Sequence, residues 1–161
     1  FIPKKGFGDL LNAFARLPPA IQGRPVWLVV AGNGPLEKRL AQLGTRLGIA
    51  ARLHWAGWQR DPGPYFQSAD LFVCPSREEP LGNVILEAWA HRLPVISTRT
   101  AGGAELIAEG VNGLLVPCGE ERPMAERIAT LLADESAREQ LAENGAATFE
   151  VTSGTYHFVS E

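Results

Sequence analysis

The chain has few of the residues from which redox, metal and nucleophilic centres are built. Its only cysteines, Cys74 in an apolar run and Cys118 in a turn-like one, fall at no metal or redox spacing. Cys74 reads as a small buried apolar side chain, and so few thiols fit a reducing compartment. His54, His91 and His157 share no spacing with one another or with an acid, so none is nominated as a base or ligand. There is no Asp-x-Asp pair, and no metal site or cofactor is expected. The 15 Lys and Arg are scattered among 18 Asp and Glu, for a net charge of −3. That balance argues against a nucleic-acid surface. No apolar run approaches the ~20 residues of a membrane span. Repeats, low-complexity stretches and Pro/Gly linkers are also missing.

What is present suits one α/β domain. At 161 residues, 45% hydrophobic and 20% charged, the chain can bury a single real core. Short apolar runs alternate with helical patterns. Helices are expected at residues 7–16, 35–47, 65–68, 83–91, 105–109, 123–133 and 135–147. Strands are expected at residues 26–31, 52–56, 71–73, 95–97 and 114–116. In residues 36–47 the leucines Leu36, Leu40, Leu43 and Leu47 share one helical face. Regular alternation predicts a Rossmann-like, doubly wound parallel sheet with helices on both faces.

The most informative stretch is Pro75-Ser76-Arg77-Glu78-Glu79-Pro80-Leu81-Gly82-Asn83-Val84-Ile85-Leu86-Glu87. It follows the strand-like Asp70-Leu71-Phe72-Val73-Cys74 and opens into a helix. A helix N-terminus at the carboxyl end of a buried strand is where open α/β sheets hold ligands. Its free N–H groups and partial positive charge suit a phosphate, while carboxylates accept hydrogen bonds from hydroxyls. Glu87, one turn into the helix, leans back toward that N-terminus; Glu79 reaches the same crevice from the turn. An isolated Glu-x7-Glu spacing reads first as two solvated charges; its place between Ser76 and the helix, at a strand's end, reverses that order. Phosphate and polyol recognition side by side suggest a sugar nucleotide.

The run resembles the Glu-x7-Glu signature of the group 1 retaining glycosyltransferases, built from two Rossmann-like domains (the GT-B fold). Other motifs match in order: Lys5-Gly6 with Leu10-Leu11 and Ala13-Phe14, and Val29-Val30-Ala31-Gly32-Asn33-Gly34-Pro35. Further on come Ala69-Asp70-Leu71-Phe72-Val73, then Leu93-Pro94-Val95-Ile96, Gly102-Gly103-Ala104-Glu105 and Gly110-Val111-Asn112-Gly113. The likeness covers residues 4–147. It departs at Pro80-Leu81-Gly82, where the family has Gly-Phe-Gly. The family's first strand of this domain, a basic residue before it and the acceptor-binding N-terminal domain are not in the sequence. Residues 149–161 do not resemble the family's closing helix.

The resemblance implies a donor-binding domain for a nucleotide diphosphate sugar. It assigns Glu79 to the donor sugar's hydroxyls, Lys5 to the diphosphate and Glu87 to the ribose. Gly82, Asn83 and Val84 would give backbone contacts, with Gly32, Asn33 and Gly34 lining the crevice and Trp58 and Gln59 near the base. Trp58 is open to two readings, stacking on a base or partial burial in the core. Gly102-Gly103 either brings backbone close to a ligand or forms a simple loop. The implied enzyme transfers a sugar, with retention and without metal, to a saccharide or lipid-linked acceptor held by the other domain. It would be cytoplasmic, at or near the inner membrane surface, and the 161 residues alone would transfer nothing. A sugar-nucleotide 2-epimerase and a non-catalytic nucleotide-binding domain are the alternatives.

Overall fold

The computed structural model describes residues 1–153, with side chains to residue 149. After a 3₁₀ turn, Pro3–Lys5, the helix α1 runs over Phe7–Ala15. A small antiparallel hairpin follows, β1 (Ala20–Ile21) and β2 (Arg24–Pro25). Gln22 and Gly23 both have positive φ, 50° and 77°, as a two-residue hairpin turn requires. Then come β3 (Leu28–Ala31), α2 (Glu37–Arg46), β4 (Leu53–Gly57), α3 (Gly63–Ser68) and β5 (Phe72–Cys74). The rest is α4 (Asn83–Ala90), β6 (Val95–Thr98), α5 (Ala101–Leu106), β7 (Leu114–Val116), α6 (Glu121–Ala133) and α7 (Glu135–Ser153).

The five longer strands are parallel, as the alternation predicts, but they stand in two groups. β3 pairs with β4, Val30 opposite Trp55. β5, β6 and β7 form a second sheet, with Val73 opposite Ile96 and Ser97 opposite Leu115. Side-chain alternation divides the core about this second sheet. Ile96 and Val116 point to the side of α1 and α6, among Leu10, Phe14, Met124 and Ile128. Their neighbours Val95 and Leu115 point to the other, against Ile85 and Trp89 of α4. Full burial of each such side chain contributes about 1.5–3 kcal/mol. Both faces of the sheet therefore carry helices.

Three expectations need correction. The hairpin was not foreseen, and the strand predicted from residue 26 begins at Leu28. The helix expected at residues 105–109 is α5, which starts earlier because Thr100 caps it: its Oγ1 accepts from Gly103 N–H at 3.2 Å. Glu105 thus lies in its last turn. Finally, α7 continues through Phe149 to Ser153. Phe149 packs against the Trp89 cluster, so the first part of the expected atypical tail is helix. Residues 154–161 lie outside the described residues.

Candidate functional site

The carboxyl ends of β3, β4 and β5 carry the residues singled out in the sequence. Lys5 ends the 3₁₀ turn, and Gly6 follows in the left-handed region at φ 66°. Any side chain at Gly6 would collide with the backbone, since a Cβ would stand 1.8 Å from the Pro75 carbonyl oxygen. The Lys4 carbonyl accepts from the N–H groups of Arg77 and Glu78, at 2.7 and 3.2 Å. Arg77 grips Asp9 of α1 through two bonds of 2.7 Å, and hydrogen bonding and the charge of Asp9 raise its already high pKa further. Two segments seventy residues apart are thereby locked together.

That lock places Lys5 on Glu79. The ammonium donates to Glu79 Oε2 at 2.6 Å, with the glutamate side chain only 10% exposed. Buried Ser76 stands 3.5 Å from the same oxygen. Thr98 of β6 fixes Ser76 in turn, donating to its carbonyl oxygen. Past Glu79 the chain reaches Gly82, the N-cap of α4, left-handed at φ 68°. Here a Cβ would press Leu106 Cδ1 at 2.8 Å and the Gly102 carbonyl at 3.3 Å. Gly102 N–H donates to the Glu79 carbonyl at 2.8 Å. Gly102 is therefore a close backbone approach, but to the motif turn.

α4 opens toward this turn. Ile85 and Leu86 N–H donate to the Gly82 carbonyl, which leaves the Asn83 and Val84 amides at the open end. No acidic side chain lies in the first turn and none caps it, so the positive end of the helix dipole is not offset locally. Glu87 is exposed on the same helix. It lines, with Lys5, Ser76 and Val84, the carboxyl end of a deep slot between the two sheets.

Across that slot lie Gly32, Asn33 and Gly34, with φ of 115° and 148° at the glycines. Gly32 N–H donates to the Gly57 carbonyl at 2.6 Å, joining the turn after β3 to that after β4. Phe1 packs into this turn: its amino group donates to the Asn33 carbonyl, and its carbonyl accepts from Leu36 N–H. Trp58 and Gln59 follow directly on β4 and, unlike Gly32–Gly34, do not line the slot. Trp58 is 67% exposed, so it is not a core tryptophan. Gln59 turns back to donate to the Ala56 carbonyl.

Sequence reading singled out neither Ser76, Thr98 nor the Asp9–Arg77 pair as site residues. Only the cap was detectable locally: Thr100 stands before a helix start, the ordinary place for a capping hydroxyl. The other contacts join distant segments and have no local pattern.

A sequence model of the family described as glycosyl transferases group 1 matches residues 1–148. The lipopolysaccharide core biosynthesis glycosyltransferase LpsE of Rhizobium meliloti (strain 1021) is 44% identical over 148 residues, covering 92% of this chain and 42% of LpsE. LpsD, of the same name and strain, is 34% identical, covering 92% and 41%. The crystal structure of Anabaena Alr3699/HepE in complex with UDP-glucose superposes with a TM-score of 0.86 at 32% identity, over 94% of this chain and 42% of that one. The C-terminal domain of LpcC from Francisella tularensis shares the fold, with a TM-score of 0.85 at 23% identity over 97% and 83%. The chain thus spans about two fifths of the length of the curated relatives it matches.

Proposed function

The chain belongs to the group 1 glycosyl transferases, and we propose that it binds the nucleotide diphosphate sugar for an enzyme that passes that sugar to a saccharide or lipid-linked acceptor. One observation carries the reading: a Lys5–Glu79 ion pair stands beside the uncapped start of α4, with Glu87 one turn along. Leaving-group chemistry explains the pairing. Breaking a sugar–diphosphate bond puts negative charge on the departing phosphate, and fixed donors aimed at that charge lower the barrier. The Asn83 and Val84 amides are such donors.

The Lys5 side chain is 37% exposed where it meets Glu79, so its ammonium is accessible to a phosphate at the start of α4. Glu79 accepts hydrogen bonds from the sugar's hydroxyls. Glu87, leaning back along α4, accepts from the ribose. Gly32–Gly34 and Trp58 complete the nucleotide side of the crevice. With these donors meeting the charge the reaction needs no metal, and retention at the anomeric carbon is what the resemblance to the family implies. Names and ligands of relatives support this reading: LpsE and LpsD are named for lipopolysaccharide core biosynthesis, and HepE holds UDP-glucose. None of the described helices is long and apolar enough to cross a membrane. The full enzyme would work in the cytoplasm, taking its acceptor at the inner membrane surface.

Titration calorimetry tests the site. The chain should bind UDP, and Glu87→Gln should weaken UDP tenfold or more while leaving inorganic diphosphate unchanged. A hydrogen bond to a charged acceptor is worth ~1.5–3 kcal/mol, which sets that factor. Equal UDP affinity for the variant and the parent would remove the ribose role of Glu87. Donor turnover by the full-length enzyme that survives EDTA would support the metal-free mechanism; loss restored by a divalent cation would overturn it.

A further inference from the structure

The net charge of −3 is unevenly divided along the chain. Residues 1–60 hold nine Lys and Arg against two acids, Asp9 and Glu37, whereas residues 61–161 hold six against sixteen. The basic part is one lobe of the fold: α1, the hairpin, β3, α2 and β4. Several of its cations have partners. Lys5 meets Glu79, Arg16 meets Glu121 and Arg24 meets Asp70. Arg52 donates to the Leu17 and Pro18 carbonyls and lies 4.7 Å from the centre of the Phe14 ring. Lys38, Arg39 and Arg46, all on α2, are exposed and form no ion pair among the described residues.

α2 separates its two faces cleanly. Leu40 is buried, and Leu36, Leu43 and Leu47 pack against the same core. The outer face presents Lys38, Arg39, Gln42, Thr45 and Arg46, all exposed. Residues three, four and seven apart share a helix face, so the three cations make one patch along a helix ~15 Å long. Two of them work against the fold. Lys38 and Arg39 stand in the first turn beside Glu37, where the helix dipole is positive and a cation is unfavourable. No large apolar side chain is exposed on this face, so the patch offers charge and nothing to insert into hydrocarbon.

We propose that this face of α2 rests on an anionic lipid surface, the phosphate headgroups of a bilayer. The choice of a membrane rests on the lipid-linked acceptor proposed above. A flat partner suits the division of charge. One lobe can meet a plane while the acidic part is turned away, and charges more than about 8 Å from the plane are largely screened at physiological salt. A long polyanion wrapping the chain would meet the sixteen acids. α2 also grows out of the crevice: Glu37 N–H donates to the Gly34 carbonyl at 3.1 Å, and the Gly32–Gly34 turn lines the slot. Docking through Lys38 and Arg39 thus holds the mouth of the donor crevice at the height of the headgroups, where a lipid-linked acceptor carries its sugar.

Vesicle co-sedimentation tests this with two triple variants of the chain. One is Lys38→Gln, Arg39→Gln and Arg46→Gln; the other, Arg92→Gln, Arg99→Gln and Arg122→Gln, removes the same charge from exposed arginines of the acidic part. The parent should sediment at low salt with phosphatidylcholine vesicles containing phosphatidylglycerol, and not with phosphatidylcholine alone. Each basic residue at an anionic surface strengthens partitioning by about fivefold, so the α2 variant should bind at least tenfold more weakly and the control within about twofold of the parent. High salt should release the parent. Equal binding by the two variants, binding that survives high salt, or no binding by the parent would overturn the proposal. So would a lower melting temperature for the α2 variant, because the cations would then serve the fold. Poly(U) held as tightly as the anionic vesicles, and lost in the same variant, would overturn the lipid assignment. UDP affinity, read separately by calorimetry, keeps the two readings apart: vesicle binding without UDP binding overturns only the donor site, and the reverse overturns only the lipid surface.

Discussion

The two ends of α4 are built for opposite purposes. Its last turn is sealed: Ala88 and Trp89 are fully buried, and the Trp89 indole N–H donates to the Asn112 carbonyl at 3.1 Å. Gly145 of α7 lies so near that a Cβ there would stand 2.4 Å from the Trp89 ring. Asn112 is itself fastened, accepting from Ala108 N–H and donating to the Leu106 carbonyl. The first turn, ~9 Å away from Asn83 to Trp89 at 1.5 Å per residue, has no side-chain cap and an exposed Asn83, and the exposed Glu87, one turn further on, leans back toward it. One helix thus spends its apolar end on stability and keeps its polar end free for a ligand. Substitutions at the two ends should separate melting temperature from binding.

The largest effect is expected at the sealed end. Trp89→Ala removes a fully buried aromatic whose neighbour Gly145 cannot close the gap, and such truncations cost about 3–5 kcal/mol. Against the ~5–15 kcal/mol of a whole domain, this lowers the melting temperature on the order of 10 °C. UDP affinity, measured well below the transition, should change less than threefold. Leu81→Ala is the control, a leucine of the motif turn that is 68% exposed. Differential scanning calorimetry giving the same loss for both variants would erase the distinction between the ends.

A middle effect is expected at Gly82, where the two purposes meet. Alanine there must hold a left-handed backbone, at about 1–2 kcal/mol, and press on Leu106. Stability should fall by about that amount, less than for Trp89→Ala. Binding should fall as well, because tilting the first turn re-aims the Asn83 and Val84 amides. UDP and inorganic diphosphate should weaken by the same factor, since the lost contact is to phosphate. If UDP weakens and diphosphate does not, the amides are not the phosphate donors.

Local patterns carried much of this far. The start of α4 follows from Gly82 after an acidic turn, and β7 was placed to the residue by its apolar run. The strands of the second sheet are legible as short apolar runs, but their standing apart from β3 and β4 is not. Less visible were features whose cause is distant. The β1–β2 turn uses Gln22 at positive φ, a residue with no special preference for it. α5 begins at Ala101, ahead of the expected residue 105, because one hydroxyl caps it. The lock between Lys4 and Arg77 depends on a glycine, Gly6, whose need appears only once Pro75 is against it. A candidate list of residues was readable; which of them touch was not.

The smallest effect on nucleotide binding is expected at Glu79, although it lies at the centre of the site. Its carboxylate is held by Lys5 and faces Ser76, not the open amides of α4. Under the proposed assignment it meets the sugar, which UDP lacks. Glu79→Gln should therefore leave UDP affinity within about twofold. The charge argument adds a sign: glutamine gives up the anion that holds Lys5, so the ammonium is freer to face phosphate. Inorganic diphosphate should bind as well as before or better, and the gain should shrink as salt screens the exposed ammonium. Sugar recognition should respond instead. In the full-length enzyme Glu79→Gln should lower kcat or the discrimination between UDP-sugars that differ at one hydroxyl, because an amide supplies only one oxygen and adds a donor. Calorimetry on the chain and steady-state kinetics on the enzyme read the two halves. If Glu79→Gln abolished UDP binding while saturated turnover persisted, the roles of Glu79 and Glu87 would be exchanged, and the open end of α4 would hold the sugar instead of the ribose.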